Sequence, residues 1–101
     1  MEDRELLELA AKALGIDHPG GEHCVNGPAL WDCKARKWWR PLTDDGDNRR
    51  LQVKLRLGLV PLEGRGWDCY SHTDAGENML ATDMDPSRAV VLAAAAIGKE
   101  M

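Results

Sequence analysis

Apolar residues recur at helical spacing at the start of the chain. Leu6, Leu7, Ala10, Ala13 and Leu14 form one stripe through "DRELLELAAKALG", in a segment rich in strong helix formers. Asp3 is placed to cap the amino end, Glu8 and Lys12 stand four apart, and Gly15 is suited to the carboxyl end. The pattern predicts a helix over 3–14. A second helix is predicted over 86–98, where Asp85 and Pro86 open "DPSRAVVLAAAAIGKEM" and Gly98 closes its apolar run. The small side chains from Ala93 to Ala96 would let that helix lie flat on a sheet.

Between these helices the pattern shortens. Breakers and polar residues fill "IDHPGGEHCVNGP" from Ile16, which reads as a loop. In "ALWDCKARKWW", the CKAR segment could turn a hairpin between strands near Leu30 and Trp38, or the stretch could be one strand plus a loop. "LVPLEG" and "GWDCYSH" read as short strands joined at Gly64-Arg65-Gly66. The segment "LQVKLRLGLV" is ambiguous. Leu51, Val53, Leu55 and Leu57 alternate as in a half-buried strand, yet Thr43, Asp44, Asp45 and Asp47 supply helix caps and Gly58 could end a helix.

A length of 101 residues fits one domain over 1–101, and 44% hydrophobic residues allow a small core. The longest apolar run, Ala89 to Ile97, is about half of the ~20 residues a membrane span needs. Met1 is followed by Glu2 and Asp3 rather than a basic and apolar leader, so the expected location is the cytoplasm. Three cysteines, Cys24, Cys33 and Cys69, are too few and odd in number for a disulfide framework. The net charge of −4 argues against general nucleic-acid binding. Its distribution is uneven: residues 34–65 hold nine Lys/Arg against four Asp/Glu. Such a basic middle could steer an anionic ligand.

The stretch "WWRPLTDDGDNRRLQVKLRLGL" resembles the central motif of the phage ABA sandwich domain family, small bacteriophage and prophage proteins. The family's Trp and Pro, its Asp-Asp-Gly-Asp and its alternating Leu/Val run all have counterparts here. Pro41 to Asp47 is the most specific part, and the terminal segments resemble the family's first and last helices. Asn48 and Arg49 depart from its pattern, as does the Trp- and Cys-rich central loop. The resemblance implies an α/β (α+β) fold: a compact α-β-α sandwich of about three helices on a sheet of three or four strands, antiparallel or mixed. It also implies that the ambiguous segment is a helix, over about 45–57. No catalytic residues come with it.

Several constellations invite chemistry. Asp44, Asp45 and Asp47 could bind Mg²⁺, but they lack the spacing of a calcium loop and suit helix capping better. His18, His23, Cys24, Cys33, Cys69 and His72 include enough zinc donors, although no CxxC pair organises them. A thiol paired with a histidine lacks any supporting nucleophile motif. "WDC" occurs twice, at 31–33 and 67–69, each copy followed by a Thr-Asp phrase; unequal spacing argues against a duplicated unit.

The binding candidate is "KARKWWR" with the arginines after it. Arg36, Trp38, Trp39, Arg40, Arg49 and Arg50 offer flat aromatic faces and forked cations. In an extended stretch Trp38 and Trp39 point to opposite sides, so only one can be core. The expected function is non-enzymatic: a phage or prophage accessory protein that binds a host or phage protein, with a host defence component among the candidates. A binder of nucleotides or other small anions is the alternative, and a metal- or thiol-dependent enzyme a distant one. No cofactor is called for, no membrane contact is expected, and a homodimer stays open.

Overall fold

The computed structural model describes residues 2–16, 28–73 and 76–101. Its elements run α1 (Asp3–Leu14), β1 (Leu30–Asp32), β2 (Lys37–Trp39), α2 (Asp45–Lys54), β3 (Leu57–Pro61), β4 (Trp67–Thr73), β5 (Gly76–Asp83) and α3 (Pro86–Glu100). The α+β class is as expected from sequence. The strands form two antiparallel sheets: a β1-β2 hairpin, and a sheet of order β3-β4-β5.

α1 ends where the sequence marks it, with Gly15 at φ 79° and its N–H donating to the Ala11 and Lys12 carbonyls. Its start differs. Glu2 holds the cap position, whereas Asp3, expected as the cap, ion-pairs with Arg88 at 2.8 Å and ties the first turns of α1 and α3 together. Glu8 pairs back to Arg4 at 3.1 Å.

α3 is the central element. Ala89, Val90, Val91, Ala93, Ala94, Ala95 and Gly98 are all buried, and at about 100° per residue they cover well over half the helix circumference. The helix packs most extensively on α1, then on β5 and β4. Gly98 does not end it. A β-carbon at Gly98 would run into the Leu9 carbonyl, so glycine serves the close approach of α1 and α3 rather than a cap. The alanine block therefore serves a helix–helix contact as much as a helix–sheet one.

The ambiguous segment is a helix, but only to Lys54. Asp44 caps it by accepting the Asp47 N–H at 3.2 Å. The period-two alternation dissolves in three dimensions. Leu51 is buried, Val53 is 65% exposed, and Leu57 already belongs to β3. Asp47, Asn48 and Leu51 face inward instead, at helical spacing. Arg56, at φ 56°, makes the turn into β3, so Gly58 is a strand residue and not a helix terminator. Burial of Leu51 and of Trp39 on β2 contributes about 1.5–3 kcal/mol each.

β5 has no clear alternation in sequence. It pairs with β4 across an irregularity between Cys69 and Tyr70, and none of its residues is fully buried, so no apolar period announces it.

Candidate functional site

The basic, tryptophan-rich stretch divides into four places. Trp38 and Trp39 do point apart: Trp39 is 4% exposed and belongs to the core, while Trp38 is half-buried. Trp38 packs edge-on against Trp31 across the hairpin, with ring centroids 5.4 Å apart. Arg36 is exposed in the hairpin turn at φ 56°. Arg40 and Arg50 gather around Asp47, and Arg49 stands alone on the outer side of α2. A single Trp/Arg face is not assembled.

Asp47 is the buried hub of a polar cluster whose cations reach the surface. Only 3% of it is exposed. One carboxylate oxygen accepts the Arg40 backbone N–H at 2.9 Å; the other accepts the Arg50 guanidinium at 2.6 Å and the Lys37 ammonium at 3.4 Å. Burial pushes this carboxyl up, but the Arg40 N–H, Arg50 and Lys37 outweigh it and hold it below the ordinary carboxylate range. Asn48, also buried, donates to the Pro41 and Ser87 carbonyls at 2.9 Å each, joining the loop before α2 to the first turn of α3. Asp44 as cap, Asp47 as clamp and Asn48 as bridge give "TDDGDN" an architectural role. Asp47 spends its oxygens on cations and an N–H rather than facing a metal.

The outer side of α2 is open. Arg49 and Gln52 line two adjoining pockets of about 420 and 380 Å³, both floored by β3. The first reaches Asp45 at one end. The second takes in Val53, Arg56, Gly58 and His72, and no carboxylate stands in its wall among the described residues. Arg49 and Arg56 are exposed, and among the described residues neither forms an ion pair. His72 turns its Nε2 edge toward β3, so that a β-carbon at Gly58 would run into that nitrogen, and its Nδ1 is 3.5 Å from Glu77. Sequence reading singled out Arg49 but missed Arg56, whose signal was masked by the alternating apolar run around it.

The zinc donors do not converge among the described residues, where no group of three or more His, Cys, Asp or Glu is placed to hold a metal. His18, His23 and Cys24 lie outside those residues. Cys33 is exposed in the hairpin turn and Cys69 is buried in the core. Burial pushes the Cys69 thiol up to about 11, which keeps it protonated and unreactive. The two "WDC" copies also separate by role. Asp32 nucleates the hairpin turn, accepting the Lys34 and Ala35 N–H groups at 3.1 Å each. Asp68 sits within β4 and takes the Thr82 hydroxyl at 2.5 Å from the neighbouring strand.

No helix among the described residues is long and apolar enough to cross a membrane. Comparison of the chain with protein families, with curated proteins and with solved structures finds no match.

Proposed function

We propose that this chain is a non-enzymatic phage or prophage accessory protein that acts by binding a host or phage protein, receiving an acidic part of it in the groove beside α2. One observation carries the reading: among the described residues Arg49 and Arg56 are both unpaired and share an open pocket with the exposed Val53 and no carboxylate. Cations left without partners beside an apolar contact suit an acidic, partly apolar protein surface. The phage assignment rests on the likeness of the Pro41–Asp47 motif and the terminal helices.

The alternative ligand is a nucleotide or other small anion. Among the described residues neither pocket is lined by Trp, Tyr or Phe, and the one aromatic ring, the His72 imidazole, turns its Nε2 edge to Gly58 and its Nδ1 to Glu77. Titration with inorganic triphosphate, ATP and a short polyglutamate, followed by amide NMR shifts, tests the reading. Shifts centred on Arg49 and Arg56 with polyglutamate support it. ATP binding well above triphosphate would favour the nucleotide, and no response at this groove to any of the three removes it as the working face.

A further inference from the structure

The floor of that groove is a strand edge with free backbone groups. Among the described residues β3 pairs with β4 alone, with Leu59 opposite Cys69 and Pro61 opposite Trp67. The Leu62 N–H donates to the Gly66 carbonyl at 3.0 Å at the hairpin end. Antiparallel ladders alternate between hydrogen-bonded and non-bonded pairs. Counting back from Leu62, the residues bonded to β4 are Val60 and Gly58. The backbone groups of Leu57, Leu59 and Pro61 therefore point away from β4, toward the free edge. Among the described residues the Leu57 and Leu59 N–H groups have no partner. α2 packs against β3 and so forms a wall beside this edge, and Leu57 and Leu59 line the two pockets there.

We propose that the groove accepts an extended acidic peptide of the partner protein, which adds to β3 as a further strand. This deepens, and rests on, the binding function proposed above. Leu59, partly exposed, supplies its N–H and carbonyl to the incoming backbone; Leu57 is buried at the inner end of the edge, and Pro61, which has no N–H, limits the addition at the far end. Arg56 stands at the start of the edge and Arg49 on the wall, so carboxylates on the peptide meet both, while Val53 offers an apolar seat between them. Arginines on this edge also disfavour self-association: a second copy pairing through β3 would bring two more cations into the same groove.

The test uses the full chain and a fluorescein-labelled peptide of alternating glutamate and valine, six residues long. A second peptide carries N-methyl groups on alternate backbone nitrogens, which keeps its charge and blocks strand pairing. Strand addition predicts binding by anisotropy, slowed amide exchange at Leu59, and roughly tenfold or greater weakening by N-methylation in one of the two possible registers. Both methylation registers are therefore made. Leu59→Pro, which removes one outward N–H but no bond to β4, weakens binding comparably; the peptide pair keeps the test valid if that variant misfolds.

Equal binding of plain and methylated peptides, abolished by Arg49→Ala with Arg56→Ala, would overturn strand addition and leave the acidic-surface reading standing. Absence of binding by any of the peptides would remove both. Protection of Leu59 that grows with protein concentration, without peptide, would assign the edge to a second copy and overturn the proposal.

Discussion

Arg49 and Arg50 are neighbours on α2 with opposite fates. Arg50 turns to the buried Asp47 at 2.6 Å and helps to neutralise it. Arg49, about 100° further round the helix, points into an open groove with no carboxylate partner among the described residues. In sequence the pair reads as one basic doublet. In the fold one guanidinium stabilises the structure and the other is available. Local charge counts cannot make this distinction, because it depends on which face of a helix meets the core.

The contrast predicts a ladder of effects, steepest at the buried hub. Asp47→Ala leaves the Arg40 N–H without its acceptor and two cations without their shared anion. Breaking a buried pair costs about 3–5 kcal/mol, but Lys37 and Arg50 are half-exposed and rehydrate. The expected loss is about 2–3 kcal/mol, a fall in Tm of roughly 10–20 °C, read by urea unfolding and calorimetry. An unchanged midpoint would mean that Asp47 is not the clamp described. Asn48→Ala comes next, at about 2 kcal/mol, since two carbonyls lose their donor.

Acid sharpens the same point. The folded Asp47 carboxyl titrates below its unfolded value, so the native state binds fewer protons. Its contribution is complete above the unfolded pKa, about 3.9, and is lost as pH falls through the lowered folded value. The stability gap between wild type and Asp47→Asn should therefore narrow progressively below about pH 4–5. Unfolding curves at stepped pH give the gap directly, and a gap that widens on acidification would contradict the cation clamp.

The parts of the fold that could be read from sequence are those with one dominant local cause. α1 and α3 have uninterrupted apolar stripes, Gly15 takes the left-handed turn, and the Trp38–Trp39 pair splits as strand geometry requires. What escaped has competing causes. From Leu51 to Leu57 the chain changes from helix to strand inside one alternating run, so neither period describes the whole. Gly98 looks like a terminator but is the contact point for Leu9. β5 buries no residue fully and so shows no apolar period. The proposed site follows the same rule: basic residues were legible, but their division depends on Asp47 being buried, which no neighbouring residue announces.

Arg50→Ala and the double variant Arg49→Ala, Arg56→Ala form the last rung and separate the two sides of α2. Arg50 is 62% exposed, so its loss should cost no more than about 0.5–1 kcal/mol even though its partner is buried. The double variant removes more charge yet should change stability by less than about 0.5 kcal/mol, because neither guanidinium has a described ion-pair partner to lose. Its effect belongs to binding: affinity for an acidic peptide should fall, and the remaining affinity should depend less on salt. Arg50→Ala should leave that salt dependence close to wild type. If both variants weakened peptide binding equally while stability held, the available charge would not be confined to one face of α2. The clamp and the groove would then be one electrostatic surface, and the division drawn at Arg49 and Arg50 would fail.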